Sequence, residues 1–386
     1  MSTAVVALLA VEAEAQPRLL TGYYQNVPLW SVESDLFPGG FTDFNRFRIG
    51  ASTDFGKFSV EVAYEHVLTL RENEGGGGPF VGAVPGGGEW LELQWTIDET
   101  GHAVWQHRFD RLKLGWAPVP AVQVEVGRQA VSWATTLFLT PADPFSPFDP
   151  ADPFREFRAG VDAARVRVYP GPLSEIDFVV RPTKTAVGEE LTALGRGLTT
   201  WRNWEISGWA GALYDEVSGA FAASGSLGQW ALRGEAVLRD SGEDLVFRGA
   251  IGVDRRFTVS ERDLLLVIEY QRDGFGASDA ADYPGVLESE PFLRGELQVL
   301  GRDEAALQST YQIHPLWSLS GLVLWNLADG SALLSPGFTF SASDEATVSG
   351  GLFLGLGEED LEGGRTLASE YGLVPATAYV SVSFFF

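Results

Sequence analysis

The side chains able to do chemistry in this chain fall into three sets. The first is its four histidines, His66, His102, His107 and His314. His102 and His107 could support acyl chemistry only beside a serine and an orienting amide, because a hydroxyl is activated by a base within hydrogen-bond reach. No serine aligns with either of them on a neighbouring segment, so catalysis is not expected. Cysteine is absent, which removes disulfides, thiolate zinc sites and covalent haem, and no cofactor is called for. With 27 Lys and Arg against 52 Asp and Glu, the formal charge is −25. Nothing forms a basic stripe able to neutralise phosphates, so nucleic acid is not an expected partner.

The second set is an acidic run studded with proline: Thr140-Pro141-Ala142-Asp143-Pro144-Phe145-Ser146-Pro147-Phe148-Asp149-Pro150-Ala151-Asp152-Pro153-Phe154-Arg155-Glu156. Each proline fixes φ and holds its predecessor extended, so the run is stiff. A stiff connection of about thirty residues is too long for a simple link and is usually functional. Phe145, Phe148 and Phe154 could pack it against a wall and leave Asp143, Asp149 and Asp152 facing water; a rigid cap on the outer surface is the alternative. The three aspartates lack the spacing of a dedicated Ca²⁺ loop.

The third set is charge on alternate residues. Arg46 and Arg48 share one segment, Glu61 and Glu65 the next; Arg111 and Lys113, Gln123 and Glu125, Arg165 and Arg167, and Glu175, Asp177 and Arg181 follow. The sign changes from segment to segment. Between the charges stand apolar residues, as in Phe58-Ser59-Val60-Glu61-Val62-Ala63-Tyr64-Glu65, where every even position is apolar. Period two over about ten residues describes a barrel strand with one face in lipid and one in the lumen. Cross-strand opposite charges sit about 5 Å apart and add a few tenths to one kcal/mol each, so a ladder that merely stiffens the wall is one account of them.

The elements that must position these residues are therefore strands, and the fold class is all-β: a transmembrane antiparallel β-barrel. No stretch supplies the roughly 20 consecutive apolar residues of a membrane-spanning helix. A water-soluble sandwich would turn its apolar face inward and would rarely need 12 tryptophans and 25 phenylalanines. The alternation predicts 18 strands, with 16 as the alternative: 18–24, 43–53, 58–70, 103–116, 120–128, 161–169, 174–182, 191–200, 203–214, 217–227, 229–240, 244–256, 261–272, 303–313, 316–326, 331–341, 344–355 and 376–386. Phe292–Leu300 could be strand or loop. Tight connections, such as 54–57, 117–120 and 258–261, alternate with long ones at 25–42, 71–101, 130–160, 274–301 and 357–373. Such barrels carry short periplasmic turns and long outer loops. The tight set is thus expected to face the periplasm, and the charged residues form a candidate lumen ladder. Later strands offer neutral inward residues, among them Gln308, Thr310, Ser318, Ser320, Thr339, Ser349 and Ser381.

The two ends of the chain carry export and assembly signals. An apolar run to Val11 followed by Ala13-Glu14-Ala15 is an h-region with an A-x-A cleavage pattern, making residues 1–15 a residual signal peptide and 16–386 the barrel. The basic n-region is missing, so either the true start lies upstream or the chain begins inside the signal; a short buried helix is the other account. At the far end Ala378, Val380, Val382, Phe384 and Phe386 share one face. This resembles the C-terminal signature of bacterial outer-membrane proteins. The resemblance implies that Phe386 is an assembly signal read by the barrel assembly machinery, with outer-membrane lipid as the other partner. An ordinary edge strand ending in three exposed phenylalanines would invite aggregation.

Gly127-Arg128-Gln129, the nearby Trp133 and the Pro-Asp-Phe run before Gly160-Val161-Asp162 together resemble a family of porin-like outer-membrane barrels. His314-Pro315-Leu316 and Asn326-Leu327-Ala328-Asp329-Gly330-Ser331 extend the resemblance over residues 120–386. It implies a passive channel for small polar solutes or ions in the outer membrane of a Gram-negative bacterium. It also implies that the loop after the fifth strand folds inward, which makes Asp143, Asp149, Asp152 and Arg155 a candidate pore constriction favouring cations. The chain departs from sugar- and phosphate-selective porins in lacking a long lysine stripe or aromatic ladder. The alternative is a structural barrel that sheaths or anchors a partner protein in an outer-membrane complex. A homo-oligomer stays open too, since outward Trp and Phe serve lipid and subunit contacts equally.

Overall fold

Strands cross a membrane only when every backbone group is hydrogen-bonded to a neighbour, which a closed sheet achieves by having no edge. The structure, a computed structural model, describes residues 20–76, 88–145, 154, 157–242, 244–359, 361–362 and 366–386. The expected signal segment, 1–15, lies outside the described residues.

In chain order the strands begin β1 (Leu20–Ser31), β2 (Gly40–Phe55), β3 (Phe58–Arg71), β4 (Gln94–Thr100), β5 (Ala103–Val119), β6 (Val122–Gln129) and β7 (Val161–Gly171). They continue with β8 (Ser174–Lys184), β9 (Glu189–Trp201), β10 (Trp204–Leu213), β11 (Glu216–Leu227), β12 (Trp230–Asp240), β13 (Leu245–Val259) and β14 (Arg262–Asp273). Two short helices, α1 (Tyr283–Leu287) and α2 (Glu290–Leu293), precede β15 (Asp303–His314), β16 (Trp317–Asn326), β17 (Ala332–Ser343) and β18 (Ala346–Leu356). Last come the two-residue strands β19 (Leu361–Glu362) and β20 (Thr366–Leu367), then β21 (Thr377–Phe385).

Eighteen of these form a closed antiparallel ring in chain order, with β21 returning to pair with β1. β19 and β20 pair only with each other, and β4 is an addition to the wall. β6 is eight residues long and pairs with the lower half of β5. β4 pairs with the upper half, Ala103–Arg108, and so continues the sheet where the chain of β6 has already left it.

The first strand is longer than the alternation predicts. It runs to Ser31, so the expected 25–42 connection shrinks to 32–39. Its inward residues Val27 and Leu29 are as apolar as its outward ones because they pack into a cluster inside the barrel, which hides the period of two. Phe292–Leu300 is not strand: Phe292 and Leu293 close α2, and the remainder has no strand pairing.

Short turns and the start of β1, beside the end of β21, share one end of the barrel. Phe386 and Gly22 exchange backbone hydrogen bonds there. Ser260 and Glu261 both take left-handed φ, 49° and 62°, the geometry of a two-residue hairpin turn that matches strand twist. Aromatic side chains ring this end on the outward face. Phe55 stacks on Phe58 across the 56–57 turn, Trp317 on Phe340, and Phe386 on Phe47. Aromatic rings at one level are the girdle that flanks the apolar band of such a barrel.

Candidate functional site

Which face lies inside is fixed by the chain between β6 and β7. Gly127 takes φ +115°, and a Cβ there would collide with the Leu112 carbonyl of β5, so only glycine lets β6 approach so closely. Arg128, next in line, is fully buried. Its Nε and Nη2 donate to Asp162 at 2.8 Å each, and Nη2 also reaches the Leu91 carbonyl at 2.7 Å. Gln129 donates to the Ala163 carbonyl at 3.0 Å. The Gly-Arg-Gln motif thus clamps the two strand ends between which the loop departs.

From there the loop touches wall after wall. Trp133 Nε1 donates to Asp177 on β8 (3.0 Å), and Trp209 Nε1 on β10 donates to the Ala142 carbonyl (3.0 Å). Glu235 on β12 accepts the backbone amides of Thr135, Thr136 and Ala142 at 2.9, 3.2 and 3.0 Å. Glu269 on β14 accepts those of Leu137, Phe138 and Leu139 at 2.6, 2.8 and 3.1 Å. On the far side Arg46 of β2 donates to the Phe154 carbonyl at 3.0 Å, and the Phe154 ring packs on Tyr379 of β21 and Phe353 of β18. β10 and β21 lie on opposite sides of the ring. A loop on the exterior could not reach both, so this one runs through the lumen.

Two apolar clusters fasten it. Val131, Trp133, Ala142 and Phe145 pack with Val179, Leu194, Trp209 and Val237 on one wall. Leu139 and Phe154 pack with Val27, Phe44, Leu324 and Phe353 on the other. Two further connections join them inside. From the 274–302 connection, Gln298 accepts the Thr140 amide at 2.7 Å and donates to the Phe138 carbonyl at 2.9 Å. Arg294 of the same connection pairs with Glu190 of β9 and with Glu216 of β11. From the 357–376 connection, Glu370 accepts the Leu300 and Gly301 amides at 2.7 and 3.0 Å, and Tyr371 enters the second apolar cluster. Burial pushes the Glu370 carboxyl and the Tyr371 phenol above their ordinary ranges.

The ladder residues occupy the inward face of β2 to β8. Glu65 lies between Arg46 (3.2 Å) and Arg108 (2.8 Å), and Asp110 between Arg48 (2.9 Å) and Arg111 (2.8 Å). Lys113 bridges Glu61 (3.0 Å) and Glu125 (2.7 Å), and Glu125 also meets Arg167 at 2.6 Å. Asp177 holds Arg165 at 2.6 Å. Arg181 donates to the Phe145 carbonyl at 3.2 Å, and Glu175 is half-buried beside this group.

Asp143 is placed otherwise than the expected pore charge. Its buried carboxylate accepts from Ser132 Oγ (2.6 Å) and the Phe145 amide (3.2 Å) and pairs with Arg158 (2.7 Å), so it folds the loop rather than facing the lumen. Asp149, Asp152 and Arg155 lie outside the described residues. Phe386 is exposed on the outward face at the end of the last strand.

Several residues escaped the sequence reading. Arg108 and Asp110 join the ladder because a one-residue register shift between β3 and β5 turns extra side chains inward. Glu235, Glu269 and Glu370 escaped because their partners are backbone amides, which carry no sequence signal.

A closed 18-stranded barrel with an aromatic-girdled exterior and a connection folded through its interior is the architecture of outer-membrane porins. No family model matches the chain, and no curated protein matches it. Among solved structures it is similar to OccAB1 of Acinetobacter baumannii, with TM-score 0.60 and 8% identity over 95% of this chain and 96% of that one. A BenF-like porin from Pseudomonas fluorescens Pf-5 gives 0.55 and 10% over 95% and 98%. OpdK of Pseudomonas aeruginosa, solved with vanillate, gives 0.53 and 10% over 95% and 98%. At such identities the likeness is one of fold.

Proposed function

We propose that this protein is a channel of the bacterial outer membrane through which small polar solutes or ions diffuse passively. The observation that carries this reading is that inward-facing polar groups of the barrel wall keep contact with solvent. The side chains of Glu61, Arg167 and Lys113 are 38%, 21% and 19% exposed, and across the barrel Gln312 and Ser320 are exposed as well. Water-wetted charge on one arc facing hydroxyls on the other gives the lumen a transverse field that orients dipolar solutes. Asp149, Asp152 and Arg155 are proposed to add charge at the narrowing. The short turns are proposed to face the periplasm, and Phe386 to be read by the assembly machinery.

We assign the protein no catalysis. His66 and His107 flank Tyr64 on the outward face, His102 faces the Arg71 carbonyl, and His314 accepts the Leu316 amide. A barrel that sheaths a partner in its lumen is the second reading, and it is disfavoured because three of the chain's own connections meet there. Recording the purified protein in planar bilayers tests the proposal. Discrete current steps are expected, and the D149N/D152N double variant should weaken cation preference at low salt, where screening is least. A correctly folded barrel that passes no current would favour the scaffold.

A further inference from the structure

The outward face carries one arginine whose setting the channel does not explain. On β13 the inward residues are even-numbered: Arg248 pairs with Asp273 and donates to the Glu296 carbonyl, and Asp254 pairs with Arg233 inside the barrel. Arg255 therefore points outward, near the short-turn end. Its guanidinium lies 4.9 Å from the Trp230 ring and 4.7 Å from the Phe257 ring, and the two rings meet edge to face at 6.2 Å. Nη2 donates to Gln229 Oε1 at 2.6 Å; among the described residues Nε is buried without a partner, and Nη1 makes no hydrogen bond. The nearby carboxylates are engaged elsewhere, Asp254 with Arg233 and Asp263 with Arg256.

A second outward arginine supplies the contrast. Arg272, on β14 toward the opposite end, is met by both carboxylate oxygens of Asp303 at 2.9 Å. There the protein provides its own anion. At Arg255 it provides two aromatic rings and an amide, which cover the guanidinium plane and leave the N–H edge at Nη1 unfilled. Beside that edge lies an open groove of about 760 Å³, lined by Gln229, the stretch from Arg255 to Val259, Leu264 and Leu266. An arginine on the lipid face is costly at the bilayer midplane and tolerated near the interface. Its planar fork suits phosphate better than an ammonium does.

We infer that Arg255 and this groove form a binding site for an anionic phospholipid of the leaflet on the short-turn side. The phosphate takes the free N–H edge, with the Gln229 amide beside it, and an acyl chain lies along Val259, Leu264 and Leu266. Trp230 and Phe257 hold the guanidinium at headgroup depth. The site rests on the proposed membrane placement and is independent of conduction through the lumen.

The test is native mass spectrometry of the purified barrel in micelles holding equal amounts of phosphatidylglycerol and phosphatidylethanolamine. The wild type should retain phosphatidylglycerol preferentially, and R255Q should lose that retention about tenfold, the scale of one charge-assisted hydrogen bond. R255K should fall between, and R272Q, at the outward arginine of the opposite end, should match the wild type. All variants should keep heat-modifiable mobility and single-channel conductance, which separates failure of the site from failure of the channel. Equal retention by R255Q and wild type would overturn the inference. So would release of the lipid by millimolar inorganic phosphate, since the groove would then contribute nothing.

Discussion

Two arcs of the barrel wall use the same residue type for different ends. From β2 to β8, inward carboxylates meet cations: Glu65 lies between Arg46 and Arg108, and Glu125 between Lys113 and Arg167. From β12 to β14, Glu235 and Glu269 instead accept three backbone amides each from the crossing loop. The neighbouring arginines are already taken, Arg239 by Glu216 and Glu296, Arg248 by Asp273. On the first arc the carboxylates are paired chiefly with cations of the wall, and on the other they are paired with the loop's main chain. The first stiffens the wall; the second holds the crossing loop in place.

The largest effect is therefore expected on the second arc. Replacing Glu269 with alanine leaves three amides without an acceptor, and each buried group left unpaired costs about 1–3 kcal/mol. The loop should undock while the barrel, held by its strand ladders, stays closed. Single-channel conductance should rise and become noisy, and protease should cut between residues 130 and 160. Glu269→Gln should be milder, since its amide oxygen still accepts. Wild-type conductance in the alanine variant would mean that the apolar clusters alone hold the loop.

On the first arc the cost falls on the wall itself. Asp177 is fully buried, holds Arg165 and also accepts from Trp133 Nε1. Asp177→Asn leaves a cation without its counter-charge, and breaking a buried pair in this way costs on the order of 3 kcal/mol. The urea midpoint of the barrel should drop, and adding Arg165→Met should restore most of it. Midpoints that fall further in the double variant would show that the two residues act separately.

How far the sequence reveals these differences depends on what each residue touches. The strands were legible because lipid imposes a period of two, and it failed where lumen packing made both faces apolar, as at Val27 and Leu29. The ladder was legible as alternating charge, apart from Arg108 and Asp110, which depend on a register shift that no local pattern signals. The crossing loop announced its stiffness through its prolines. Its anchors did not show, because Glu235 and Glu269 lie about a hundred residues away and bind main chain. Asp143 looked like its companions in the run, yet Ser132 and Arg158 turn it inward.

A third kind of carboxylate setting gives a pH dependence. Glu370 accepts the Leu300 and Gly301 amides and the Asn326 side-chain amide, with Glu304 and Asp329 close by. Burial raises its carboxyl above the ordinary value that it would have in an undocked loop. The docked state thus binds a proton that the undocked state releases. Docking is strongest below the ordinary carboxylate value and weakens as pH rises through the raised one. Current should be quieter on the acid side, and Glu370→Gln, uncharged at every pH, should flatten that slope. A slope that survives the substitution would belong to another group.

The smallest effect is expected where opposite charges face each other on the outer surface of the wall. Lys184 and Glu189 pair across β8 and β9 at 3.5 Å, with side chains 48% and 66% exposed. By charge alone this pair resembles Arg165 and Asp177, but Lys184 stands on the opposite, outward face of β8 from Asp177. Solvent screens it, and holding two long side chains in place costs entropy, so exposed pairs contribute about 0–1 kcal/mol. Lys184 has a second contact, with its ammonium 4.6 Å over the Trp90 ring. Lys184→Ala should accordingly lower stability slightly more than Glu189→Ala, through lost contact with the segment that Asp162 anchors by the Trp90 and Leu91 amides. A double-mutant cycle read by urea midpoints should give a coupling below about 0.5 kcal/mol. Coupling as large as that of the Arg165–Asp177 pair would mean that opposite charge across strands, rather than burial, sets the strength of this wall.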